Sequence, residues 1–165
     1  MLRHFALLCA SILMASDITA AQPEVTVDTF QLKGSRPLED QTKAAAIRDY
    51  LESWQGMNVA FQQDQPNLLD EDFIDTAKDK LADAIDEQAK AGVHTRFQDR
   101  VHHIRFLFYS PEGLSIELVD DAEYNVEILD HDKPVSTVPV SARYIVVLTP
   151  AEVRWKVRVM QADFK

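Results

Sequence analysis

The sequence predicts an α+β domain in which N-terminal helices pack on a curved, mainly four-stranded antiparallel sheet. Three observations carry this prediction. Apolar residues recur at helical spacing between residues 37 and 91, and the hydrophobic period changes to two from residue 93 onward. Turn sequences such as Pro111-Glu112-Gly113 separate the alternating segments, as expected for strands joined by hairpins. Helices followed by consecutive strands are typical of the α+β class.

The first 21 residues have the features of a cleavable secretory signal. Arg3 and His4 precede an apolar run of about eleven residues, within the length range of signal peptides, and small residues end the segment at Ala21. The run is shorter than the roughly 20 apolar residues that span a bilayer. We therefore expect cleavage near Ala21, a periplasmic or secreted location, and a mature form that does not span a membrane.

Composition limits the partners and sites that we expect. The chain has 17 Lys and Arg against 27 Asp and Glu, a formal net charge of −10, which repels phosphate backbones. The single cysteine, Cys9, lies in the signal, so the mature chain has no thiol nucleophile and no Cys-based metal site. Gly-rich phosphate loops and a His-Glu-x-x-His motif are absent. We expect no nucleic-acid partner, no metal and no cofactor.

The remaining chain divides into an N-terminal extension or short strand at 22–36 and a single domain at 37–165. A first helix is predicted over 37–63, ending before the Pro66 region. A second helical region follows over 68–91 and stops at Gly92, a typical helix C-terminal glycine. Four antiparallel strands are predicted at 100–110, 114–129, 140–149 and 153–163.

Two segments add a family resemblance to this pattern. One is the helical segment 44–54, which ends at Trp54, and the other is the pair of strands with Tyr144 and Trp155. With this order of elements, the chain resembles the nuclear transport factor 2-like superfamily, a cystatin-like α+β cone of helices wrapped by a curved sheet. Within it, the chain is most similar to the non-enzymatic domain of plastid-division and cyanobacterial inner-membrane-associated proteins. The resemblance implies a free exported domain with a space between helix and sheet.

Aromatic residues supply the candidate ligand-binding set. If the cone forms, they line the space between helix and sheet, either as ordinary core or as an apolar pocket with phenol and indole donors. The set consists of Tyr50, Trp54, Phe61, Tyr124, Tyr144 and Trp155.

The sequence gives less support for a catalytic site than for a binding site. An isomerase of this fold would need a pocket carboxylate with a raised pKa beside a hydrogen-bond donor, and alternation places no Asp or Glu clearly on the apolar strand face. The remaining candidates are His103 as base with Tyr124 or Tyr144 as donor.

Two other histidine-containing segments do not indicate a metal site. His102 and His103 are strand neighbours and should point to opposite faces, so they cannot easily share one ion. The segment Asp130-His131-Asp132 fits a hairpin turn better than a metal site.

The sequence therefore favours a non-catalytic exported domain that binds a protein partner or a small apolar ligand, as a monomer or homodimer. One alternative is a small isomerase- or dehydratase-type enzyme that uses the cone cavity. The other is a periplasmic component of a secretion or conjugation assembly.

Overall fold

The computed structural model describes residues 22–28, 32, 36–130 and 133–164. The predicted signal and the histidine and second aspartate of the Asp130-His131-Asp132 turn lie outside these residues. The described chain forms a helical layer on one sheet, which confirms the predicted α+β class. Its elements are β1 (Glu24–Val27), α1 (Asp40–Gln63), a 3₁₀ helix (Pro66–Glu71), α2 (Asp75–Ala91), β2 (His94–Tyr109), β3 (Ile116–Asp130), β4 (Lys133–Pro150) and β5 (Trp155–Phe164).

Within the described residues the sheet has five strands in the order β1-β2-β3-β4-β5, one more than the four of the predicted main sheet. The additional strand, β1, lies in the segment 22–36 that was predicted as an extension or short strand. Strands β2 to β5 form the predicted antiparallel meander, while β1 pairs parallel with β2, Val25 beside His102 and Val27 beside Ile104. Both helices lie between β1 and β2 in the chain, and they provide the long crossover that a parallel neighbour requires.

Helix α1 places one apolar stripe on the inner face of the sheet. Tyr50, Trp54, Met57 and Phe61 are buried and recur every three or four residues, the spacing of one helix face. The helix ends at Asp64, which adopts the left-handed conformation with φ 50°. Among the described residues, no helix is long and apolar enough to cross a membrane.

The second helical region is divided, where a continuous helix was predicted. The 3₁₀ helix leads into an extended stretch, and there the Ile74 N–H donates to the Val157 carbonyl at 3.0 Å and the Val157 N–H donates to the Asp72 carbonyl at 2.8 Å. This stretch therefore docks on the edge of β5 before α2 begins at Asp75. Backbone pairing with a strand that is distant in sequence overrides the local helical pattern there.

Strand β2 contains two bulges that change which residues face the helix. The pairing with β3 shifts between Asp99 and Val101 and again between Phe106 and Phe108. An extra residue in one strand reverses the alternation beyond it. Asp99 precedes the first bulge and His102 follows it, so both face inward although they are three residues apart.

Candidate functional site

A buried carboxylate lies at the centre of the inner face. Asp120 on β3 is fully buried, and its Oδ2 accepts a hydrogen bond from the Tyr50 hydroxyl at 2.9 Å. The same oxygen lies 2.6 Å from Nδ1 of His102, which is also buried. A phenol, an imidazole and a carboxylate from α1, β2 and β3 thus meet at one oxygen atom.

The electrostatics of this group favour a charged imidazole. Burial lowers the pKa of His102, but the hydrogen bond to Asp120 and the nearby carboxylates of Asp120 and Asp99 outweigh it and raise that pKa to about 9. At neutral pH His102 is therefore protonated, and its Nδ1–H donates to Asp120. Burial, followed by the Asp120 charge, raises the pKa of Tyr50 well above its ordinary value, so the phenol stays neutral.

Aromatic rings enclose the histidine. Trp54 contacts His102, Tyr124 and Tyr144 edge-on, with ring centroids 5.1, 5.4 and 5.3 Å apart. The two tyrosine hydroxyls lie 2.6 Å apart and share a hydrogen bond. Burial is the first cause that raises the pKa of each of these tyrosines. Four of the six predicted ligand-binding aromatics are thus brought into one cluster, in which Tyr50 and Trp54 contact the imidazole and Tyr124 and Tyr144 contact Trp54.

The other two predicted aromatics lie further out. Phe61 packs on Phe97 with ring centroids 5.1 Å apart, and Phe97 in turn lies 6.0 Å from Tyr124. Trp155 is half-buried at the start of β5, where its backbone N–H donates to Asp49 at 2.8 Å.

His103, the predicted base, lies on the opposite face of the sheet from the tyrosines. Its ring is half-exposed, with Nδ1 2.6 Å from the Thr26 hydroxyl and Nε2 3.2 Å from Asp28. Neighbours in a strand point to opposite faces, so the inward position belongs to His102. The structure thus replaces His103 by His102 as the histidine beside the tyrosines.

The expectation that the apolar strand face carries no acid was also wrong. The alternation of Ile116, Leu118, Ala122 and Tyr124 assigns the intervening Asp120 to the same face, so the period alone contains this signal. Asp99 is a different case, because only the bulge after it directs it inward. No sequence pattern that we used indicates that bulge.

The inner network is closed by its own side chains. Tyr50, Trp54, His102 and Asp120 are each at most 1% exposed. Tyr124 and Tyr144 are each at most 8% exposed. In the described part of the chain, no group of three or more His, Cys, Asp or Glu residues could hold a metal ion. The arrangement can hold a proton on His102, and its side chains are closed off from solvent.

The outer face of the sheet differs in character. Arg105 and Arg143 both bond the Asp121 carboxylate, with nitrogen–oxygen distances of 2.9 to 3.1 Å. Beside this ionic row, Val119 pairs with Ile145 across β3 and β4. We call the neighbouring apolar residues of this face the outer apolar patch. It consists of Leu107, the bulge residue of β2, and Phe108, Val119, Ile145 and Val147, of which Val119 is only 8% exposed.

Solved structures with the same fold exist at low sequence identity. The intermembrane space region of the chloroplast protein ARC6 matches with a TM-score of 0.60 and 13% identity, over 79% of this chain and 100% of that chain. A putative scytalone dehydratase from Novosphingobium aromaticivorans DSM 12444 matches with a TM-score of 0.52 and 12% identity, over 76% and 89%. The likeness is one of fold. It fits the nuclear transport factor 2-like cone that the sequence resembles.

No protein-family profile matches this chain, and no curated protein sequence matches it. Functional conclusions therefore depend on the side chains of this molecule, because one fold supports many functions.

Proposed function

We propose that this protein is a non-catalytic, exported interaction domain that binds a protein partner through the outer face of its sheet. The observation that carries the proposal is the contrast between the two faces. Tyr50, His102 and Asp120 of the inner network are buried and Asp99 beside them is only 20% exposed, whereas the outer apolar patch has large side chains in solvent. Leu107, Phe108 and Ile145 are 41, 37 and 42% exposed.

The outer face has the chemistry of a protein interface. Aliphatic and aromatic side chains lie beside a polar row in which both arginines are already held by Asp121. Interfaces commonly combine an apolar centre with a charged, solvated rim. Exposed apolar groups that adjoin one another are candidates for contact with another protein.

Export is supported by the sequence-predicted signal and is compatible with the ARC6 neighbour, whose structure comes from an intermembrane space. From the resemblance to plastid-division domains we take only the non-catalytic role. A role in a secretion or conjugation assembly would use the same outer face.

Position-specific photo-cross-linking in the native cells tests this proposal. A photoreactive residue at position 145 should give a discrete cross-linked species. The matched control is position 59 on α1, because Val59 is apolar and 43% exposed, nearly the same as Ile145. Cross-links of equal yield from both positions, or from position 59 alone, would contradict an outer-face partner.

A dehydratase-type enzyme is the second candidate, and one observation favours it. Nδ1 of His102 is bonded to Asp120 while Nε2 has no hydrogen-bond partner among the described residues, which leaves one nitrogen available to a substrate. Since the pKa of His102 is about 9, this nitrogen would act as a proton donor at neutral pH rather than as a base. A crystal structure with a small hydroxylated ligand bound inside the cone would establish this alternative.

A further inference from the structure

The interior contains polar atoms that its own side chains leave unpaired. Within the described residues, buried atoms without a hydrogen-bond partner include Nε2 of His102, Oδ1 of Asp99, Oδ1 of Asp120 and Nε1 of Trp54. They comprise donors and acceptors within one connected group. A buried donor or acceptor that stays unpaired costs about 1–3 kcal/mol, and more when it belongs to a charged group.

Asp99 and His102 are spaced for a bridged contact. The bulge at Arg100 turns both side chains inward and leaves Nε2 of His102 4.0 Å from Oδ2 of Asp99. That distance exceeds the 2.7–3.2 Å of a direct N–H···O hydrogen bond. Polar groups separated by more than about 3.5 Å are commonly joined by a water molecule.

We propose that the closed cone holds an ordered water molecule between His102 Nε2 and Asp99, and that this water completes a hydrogen-bonded chain from Tyr50 to the solvent-accessible side of Asp99. The water accepts the Nε2–H of His102 and donates to an Asp99 oxygen. This arrangement gives two polar partners, which is the minimum for a buried water site. The inference does not depend on the proposed function.

The chain has a defined order and an outlet. Tyr50 donates to Asp120, Asp120 accepts from His102 Nδ1, and Nε2 of His102 reaches Asp99 through the water. The Asp99 side chain is 20% exposed, whereas those of His102 and Asp120 are essentially inaccessible. Protons can thus move between solvent and His102 without opening of the cone.

Within the part of the chain that the structure describes, no cationic side chain acts on His102 to compete for the water. The titratable side chains that the structure places against His102 or its two acids belong to four elements. They are Tyr50 on α1, Asp99 on β2, Asp120 and Tyr124 on β3, and Tyr144 on β4.

Solution NMR of the purified, ¹⁵N-labelled protein tests the proposal. We expect a cross-peak between bulk-exchanging water and the Nε2 proton of His102. We also expect this proton to exchange at a rate independent of added denaturant and at least about tenfold faster than the slowest amides of β3, because those amides exchange through opening of the fold.

Two variants with the same branched side-chain shape separate the water from its acceptor. Asp99→Asn keeps an acceptor and should keep the cross-peak, whereas Asp99→Leu removes it and should lose the cross-peak. If Asp99→Leu does not fold, the wild type and Asp99→Asn still decide. Absence of the cross-peak from the wild type, or exchange of the His102 proton only at the rate of global unfolding, would overturn the proposal.

Discussion

Asp120 and Asp121 are neighbours on β3 with opposite environments. Asp120 points inward, is inaccessible to solvent and binds His102 and Tyr50. Asp121 points outward and pairs with Arg105 and Arg143 on the adjacent strands. The alternation of a strand thus decides whether a carboxylate joins a sealed network or a surface ion pair. The two classes differ in energy, since removing one partner of a buried pair costs far more than breaking an exposed pair.

The largest expected effect is that of Asp120→Asn. This change leaves the protonated His102 buried without its counter-charge, so the free energy of unfolding should fall by about 3–5 kcal/mol. The matched control, Asp121→Asn, should cost about 1 kcal/mol or less because its arginines are hydrated. Urea unfolding of both variants gives the comparison. Equal losses would show that the two faces do not differ as described.

The next effect is a pH dependence that we assign to His102. Its pKa is raised to about 9 in the folded protein, against an ordinary value near 6.5. The stabilisation is therefore fully present below pH 6.5 and is lost as the pH rises through 9, roughly 3 kcal/mol in all. Unfolding free energies should decline across this range in the wild type and in His103→Gln, but much less in His102→Gln. A decline of the same size in His102→Gln would contradict the assignment.

A smaller effect tests how the helical layer meets β5. A Cβ at Gly56 would meet the carboxylate of Asp72, which is nearly buried and paired with Arg154. Gly56→Ala should therefore lower the free energy of unfolding by about 1 kcal/mol, although Ala is preferred to Gly in a helix interior.

In an Asp72→Ala background, the same Gly56→Ala change should become neutral or stabilising, because the obstructing carboxylate is gone. Thermal unfolding of the wild type, the two single variants and the double variant completes this double-mutant cycle. If Gly56→Ala lowers the free energy of unfolding equally in both backgrounds, contact with the Asp72 carboxylate is not the cause.

The smallest effect compares one isoleucine from each face. Ile104 is fully buried against the core, and Ile104→Val should lower the unfolding free energy by about 1 kcal/mol. Ile145→Val on the outer apolar patch should change it by less than about 0.5 kcal/mol. The denaturation midpoints of the two variants measure this difference. A larger loss of unfolding free energy in Ile145→Val than in Ile104→Val would indicate that the outer apolar patch is packed and not exposed for binding.

Hydrophobic periodicity was sufficient to predict α1 and the meander β2 to β5. It failed where one residue is inserted into a strand. Strict alternation along 153–163 would place Val159 on the same face as Trp155 and Val157, yet the register shift that pairs Val147 with Val159 and Leu148 with Val157 places Val159 outside. Bulges depend on the partner strand, so a single-chain pattern does not contain them.

The sequence predicted the aromatic residues of the site but not its buried carboxylate. Tyr50, Trp54, Tyr124 and Tyr144 follow regular periods, and the structure brings them together. Asp120 was also in phase with its strand, but a charged residue inside an apolar face is uncommon. Its burial is stabilised by His102 and Tyr50, which are distant in sequence.

We propose that the inner face is structural and that the outer face meets a partner. Co-purification of the cross-linked partner from native cells by wild type, Ile145→Asp and His102→Gln, each shown to be folded by circular dichroism, separates the two faces. We expect His102→Gln to retain the partner and Ile145→Asp to lose it. Loss by His102→Gln with retention by Ile145→Asp would contradict the claim and return the function to the interior of the cone.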